Sequence, residues 1–167
     1  ASDVYKRQAT LLLNCYTKLR DTNALDRFLR APDVPLDVQV AMDVCRRAGC
    51  IEQAAYLAQT HGIHDIYLNI QLRDKLDPKA ALAYLETLAP SDVMDYFPPC
   101  ARLLLEAEPE ATADLLVRVY ADSSGSKVTL LPSMLSHFVG HERTLERFLE
   151  RIRTTKRDRH ELVLVHD

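Results

Sequence analysis

The chain has 167 residues, 47% of them hydrophobic and 27% charged, with a formal net charge of −3. That length can bury a real core in one domain, and the composition is that of an ordinary soluble protein. Four glycines and no tryptophan leave little material for a turn-rich sheet fold, which favours an all-α chain. The slight acidity speaks against a general nucleic-acid binder. The apolar runs fall far short of the roughly 20 residues a membrane span needs.

In chain order, Asp3-Val4-Tyr5-Lys6-Arg7-Gln8 reads as the translation of a sequencing-library adapter in one frame. Residues 1–8 are therefore expected to be a non-native scar, with 9–167 a piece of a longer helical protein. Ala9 to Leu19 reads as a helix with Leu12, Leu13, Tyr16 and Leu19 inward, and Asp21-Thr22-Asn23 as a tight break. Ala24 to Arg30 follows with Leu25, Phe28 and Leu29 inward, then a linker at Pro32-Asp33-Val34-Pro35, where each proline disfavours helix in the residue before it.

Three short amphipathic helices come next, each with its own punctuation. Asp37 is placed to cap a helix with Val38, Ala41, Cys45 and Ala48 inward, Arg46 and Arg47 at its negative end and Gly49 past it. Ile51, Ala54, Ala55 and Ala58 form the face of a second, ended by Gly62; Ile63, Ile66, Tyr67 and Ile70 form that of a third. Asp77-Pro78 then supplies an N-cap and a first helical residue. Helices this short do not hold in water alone, so each needs its neighbours.

Further on, Ser91 is placed to cap a helix whose stripe Val93, Phe97, Ala101, Leu104 runs through Pro98-Pro99, a pair expected to kink or split it. Pro109 opens another helix with Ala113, Leu116 and Tyr120 on one side. Residues 121–131 are expected to form a flexible loop around Ser123-Ser124-Gly125-Ser126. A short helix after Pro132 ends at Gly140, and His141 to Arg153 makes a last one with Leu145, Phe148, Leu149 and Ile152 inward. Ala55-Tyr56-Leu57 recurs as Ala83-Tyr84-Leu85 after 28 residues, and Leu25 to Leu29 echoes as Leu145 to Leu149 after 120. Helix pairs of roughly 30 residues, each covering its neighbour's apolar face, are what an α-solenoid of stacked antiparallel pairs requires.

Residues that could carry chemistry read more simply as structure. His137 and His141 have the i, i+4 spacing of a zinc protease but no glutamate base, and Gly140 ends the helix between them. His61 and His64 flank Gly62 at a helix junction. Cys45 and Cys50 are too far apart for a CxxC site and read as buried thiols, as expected of a reduced intracellular chain with Cys15 and Cys100 also in or beside apolar stripes. Gly125-Ser126-Lys127 mimics the tail of a phosphate loop but follows a helix. The basic run from Arg143 to Arg159 interleaves with Glu142, Glu146 and Glu150, so Arg143–Glu146 and Arg147–Glu150 are expected as neutralising i, i+3 pairs. No catalytic, cofactor-binding or metal-ligating residue is assigned, and an enzyme is not expected.

The ordered series Leu12 to Asp21, Ala41 to Gly49, Ala54 to Ala58 with His61-Gly62, His64 to Leu72, Ala81 to Leu85 and Pro109 to Thr112 resembles the helical region of the vacuolar protein sorting-associated protein 11 family. These are class C vacuolar sorting subunits built on clathrin-heavy-chain-type repeats. The most distinctive stretch is His64 to Leu72, where the family typically has an aromatic at the place of Ile66, and Leu145 to Leu149 fits more loosely. Pro98-Pro99 departs from the family pattern. The resemblance implies a scaffold segment of a core subunit of an endosomal, lysosomal or vacuolar membrane-tethering complex. It would be cytoplasmic, held peripherally on membranes through partner subunits, and would bind no nucleic acid. The family's β-propeller and RING zinc domain have no counterpart in these residues, so no zinc site or ligase activity is carried over. The alternative is a helical-repeat binding module of another kind, a coat protein or an RNA-binding array.

Overall fold

A computed structural model of the protein describes residues 2–123 and 127–166, with side chains described for 3–123 and 131–155. Every regular element among the described residues is helical. One unit, residues 1–76, holds α1 (Ser2–Leu19), α2 (Thr22–Arg30), α3 (Val38–Arg47), α4 (Ile51–Thr60) and α5 (His64–Asn69), the last running into a π-helical turn at Ile70–Asp74. A second, residues 77–167, holds α6 (Pro78–Glu86), α7 (Pro90–Tyr96), a 3₁₀ turn at Pro98–Cys100, α8 (Ala101–Ala107), α9 (Pro109–Asp122), α10 (Lys127–Ser136) and α11 (Glu142–His166). With α7 and α8 counted as one helix split at Pro98-Pro99, the first residues of every second helix (Thr22, Ile51, Pro78, Pro109, Glu142) recur at intervals of 27 to 33. Both sequence echoes, α4 with α6 and α2 with α11, fall on that alternate set. The chain is an all-α clathrin-type helical repeat of the expected solenoid class.

Local chemistry sets the ends of the helices in the first unit. The carboxylates of Asp21 and Asp37 accept from Ala24 N (3.1 Å) and Val40 N (3.3 Å), each satisfying an orphan donor of the helix it starts. At the other ends, Gly49 (φ +80°) and Gly62 (φ +66°) turn the chain left-handed, so that Cys50 N reaches Cys45 O at 2.8 Å and Ile63 N reaches Ala58 O at 2.9 Å. α1 pairs with α2 and α3 with α4, while α1 also lies on α3 and α2 on α4. Like-placed helices of successive pairs thus cover each other. Leu13, Leu25, Leu29, Met42, Cys45 and Leu57 fill the core together with Ala41, Ala54, Ala55 and Ala58.

Two sequence expectations in this unit are corrected. α1 begins at Ser2 rather than Ala9, and its inward line is Ala9, Leu13 and Thr17, with Tyr16 half-buried; Leu12 (46% exposed) and Leu19 (75%) point outward. α2 and α3 dock on one side of α1 only, and three consecutive leucines spread over a helix cannot all face it. The third amphipathic stripe is also shifted. Lys75 N donates to Ile70 O (2.9 Å), an i→i−5 bond that inserts a residue into the turn. Leu68, Ile70, Gln71 and Leu72 are buried there, whereas Ile63, Ile66 and Tyr67 are only partly covered.

The second unit starts as expected, with the Asp77 carboxylate accepting from Ala80 N (3.1 Å) and Pro78 in the first turn of α6. α7 begins two residues sooner than a Ser91 cap allows. Ala89 is its N-cap and Pro90 its first residue, a position where the missing N–H costs nothing. Pro98-Pro99 splits α7 from α8, and the 3₁₀ turn closes with Cys100 N to Phe97 O at 2.8 Å. The stripe Val93, Phe97, Ala101, Leu104 stays buried across the break.

α9 is the centre of this unit, packed by α6, α7, α8, α10 and α11. Burial therefore extends beyond the expected Ala113, Leu116 and Tyr120 to Thr112, Leu115, Val117 and Val119. The buried Thr112 hydroxyl is satisfied by Glu108 O (2.6 Å) and Leu104 O (3.1 Å). The expected loop at 121–131 is mostly helix: 121 and 122 end α9, 127–131 open α10 ahead of Pro132, and 124–126 lie outside the described residues. α11 starts at Glu142 and its backbone runs on to His166, well past Arg153.

The expected i, i+3 pairs on α11 give way to bonds across helices. Arg147 pairs with Glu110 and Arg151 with Asp114. The partners advance by one turn on each helix in the same order, so α9 and α11 run parallel, which is the relation of like-placed helices in successive pairs.

Candidate functional site

The most structured polar feature lies within the first unit, in a groove of about 290 Å³ between α2, α4 and the π-helical turn. The Asp26 carboxylate on α2 accepts from Gln53 Nε2 on α4 at 3.0 Å. One helical position earlier on α4, Glu52 pairs with Lys75 at 2.8 Å, just past the turn. Arg30, in the last turn of α2, sets its guanidinium 4.3 Å above the ring of Tyr56, a cation–π contact. Gln71, in the turn itself, is 3% exposed and its Oε1 has no hydrogen-bond partner among the described residues. On the turn's other side, Arg46 Nε donates to Asp74 at 2.9 Å, so the π turn is tied to α3 as well as α4.

Reading the sequence alone missed Gln71. The signal was present: it stands four residues after Tyr67 and eight after Ile63, on the same stripe, as a polar residue at an apolar position. The pairs Asp26–Gln53 and Arg46–Asp74 join residues 27 and 28 apart, close to the repeat length, and could have been found by asking which polar residues recur at that shift.

The residues weighed for chemistry are placed apart from this groove or inside packing. His137 follows α10 with its Nε2 buried and without a hydrogen-bond partner among the described residues, edge-on to Phe97 at 5.3 Å between ring centres. Loss of hydration lowers its pKa below the ordinary imidazole value. His141 precedes α11, and its carbonyl accepts from Leu145 N at 2.9 Å. His61 is the exposed C-cap of α4 and His64 opens α5. Cys45 and Cys50 are buried thiols, as read from sequence; burial first, and Cys50 second, push the Cys45 thiol up to about 12. A thiol so held is a packing group and not a nucleophile. Cys15 is exposed and Cys100 is buried, its Sγ 3.6 Å from Tyr96 O. Lys127 of the phosphate-loop mimic begins α10, while Gly125 and Ser126 lie outside the described residues. No group of three potential metal ligands occurs among the described residues, and no described helix is long and apolar enough to cross a membrane.

The arrangement can hold two neighbouring helix pairs together and offers a polar groove; it assembles no nucleophile with a base. Comparison with known proteins agrees with the helical-repeat reading. The chain is 38% identical to a vacuolar protein-sorting-associated protein 11 homologue of Arabidopsis thaliana over 156 residues, covering 87% of this chain and 17% of that protein. It is equally similar to homologues from Dictyostelium discoideum (110 residues, 66% of this chain, 12% of that protein) and Homo sapiens (116 residues, 68% and 12%). The chain thus spans about one-sixth of the length of these relatives or less. No solved structure matches it. The model of the PEP5/VPS11 clathrin repeat matches residues 3–167, the whole run of paired helices described above, and the chain belongs to that family.

Proposed function

We propose that this chain is a scaffold segment of a vacuolar sorting subunit, part of the core of a complex that tethers endosomal, lysosomal or vacuolar membranes for fusion. The observation that carries this reading is the unbroken family match over residues 3–167, laid on helices that alternate at near-constant spacing. In stacked helix pairs each repeat contacts only its neighbours and stability is roughly the sum of those contacts, which suits a part that spaces and presents other components. On this reading its partners are sister subunits of the complex, and its hold on the membrane is peripheral, through them.

A segment exchange tests it. In Dictyostelium cells lacking their own homologue, the full-length homologue is expressed with this chain in place of its matching segment. The chimera should restore delivery of vacuolar hydrolases and co-purify with the same subunits as the unmodified homologue. A chimera that accumulates to normal levels while hydrolases are still missorted would contradict the proposal.

A further inference from the structure

We propose that the groove between α2, α4 and the π-helical turn is a docking site for an extended segment of a partner polypeptide that carries a carboxylate. Gln71 supplies the first reason. A buried amide oxygen without a donor costs free energy in every folded molecule and calls for a partner, and this one lines the groove at 3% exposure. What it lacks is an N–H, the group that an extended peptide backbone presents at each residue. The π-helical turn that sets Gln71 there is a distortion common at functional sites.

Charge supplies the second. Of the four ionised groups in the groove, Glu52 and Lys75 neutralise each other and Asp26 accepts the Gln53 amide. The Arg30 guanidinium lies on the Tyr56 ring and has no carboxylate partner among the described residues. A guanidinium held flat by a ring keeps its N–H edge free for a carboxylate, its best-matched acceptor. Together the two gaps describe one complement, a backbone N–H for Gln71 and an acidic group for Arg30. A volume of about 290 Å³ falls at the floor of the roughly 300–1,000 Å³ typical of small-molecule sites, which favours side chains of a passing segment over an enclosed metabolite. Docking here does not depend on the sorting role, so the segment exchange and the experiment below fail independently.

The test is selection of a phage-displayed random dodecapeptide library on the full chain, followed by fluorescence titration of the enriched peptides. Enriched sequences should contain a recurrent Asp or Glu. Arg30→Gln should weaken them about tenfold and abolish the acidic preference. Gln71→Leu should weaken them similarly while leaving the melting temperature unchanged or raised, since it removes an unsatisfied buried group, and a purely structural glutamine would show neither effect. Binding of an acidic peptide should shift the Gln71 side-chain amide resonances. No enriched peptide, peptides without an acidic residue, or equal affinity for both variants would overturn the proposal.

Discussion

Residues 1–76 and 77–167 follow the same plan of paired helices but seal it differently. In the first unit α4 contributes Ala54, Ala55 and Ala58 to the core and α3 contributes Ala41 and Cys45, small side chains that let helix backbones come close. In the second the largest fully buried groups include Phe97, Tyr120, Phe138 and Phe148, with Phe138 and Phe148 stacked at 4.9 Å between ring centres. A repeat fold therefore does not fix its own sealing residues: close approach and aromatic filling both satisfy native packing density. They fail in opposite directions, the first when something is added and the second when something is removed.

The contrast is sharpest in its largest expected effect. Phe148→Ala should cost about 3–5 kcal/mol through lost transfer energy and a residual cavity, while Ala54→Leu should cost about 1–3 kcal/mol by overpacking. Urea unfolding followed by circular dichroism reads both. If Phe148→Ala were mild and Ala54→Leu tolerated, the two cores would not differ in kind. A smaller effect is one of backbone and common to both units, since Gly140 (φ +86°) turns the chain left-handed in the second as Gly49 does in the first: Gly49→Ala, in the turn that ends α3, should lose about 1 kcal/mol. No atom lies within 4 Å of the added methyl, so the loss is conformational, and a loss well above that size would point instead to a contact.

The next distinction is pH, which should act on the second unit. Burial against Phe97 holds the His137 pKa below its ordinary 6.5, so the unfolded chain binds a proton that the folded chain refuses. Stability from this group is complete above pH 6.5 and is lost as pH falls through the lower folded value. Wild type should lose more of its melting temperature between pH 7.5 and 5.5 than His137→Gln does. Equal losses would remove His137 from the account.

These differences also show which features the sequence alone makes legible. The caps at Asp37 and Asp77-Pro78 and the stops at Gly49 and Gly62 could be read because each rests on chemistry within a few residues, whereas Asp21, read as part of a break, caps a helix that starts at Thr22. The split at Pro98-Pro99 was legible for the same reason. Where a helix sits among others could not be read: Leu12 and Leu19 face outward because α2 and α3 dock elsewhere, and α9 is buried on nearly every side because five helices surround it. The groove was hidden for a related reason. The π-helical insertion that holds Gln71 inward packs against α4, distant in sequence, and Arg147 finds Glu110 only once α11 lies beside α9. All-α class and repeat length were plain in the pattern, while cross-helix partners were not.

The smallest effect tests the central claim most directly, that like-placed helices of successive pairs lie side by side in register. Glu110 and Arg147 are both well exposed, so their bond is worth about 1 kcal/mol or less. The readout is therefore the pattern across a charge-reversal series in low salt. Glu110→Arg alone and Arg147→Glu alone should each lower the urea midpoint, and the double reversal should restore most of it. If the double variant loses the sum of the two single losses, α11 does not run along α9 as described and the stacked-pair account is wrong.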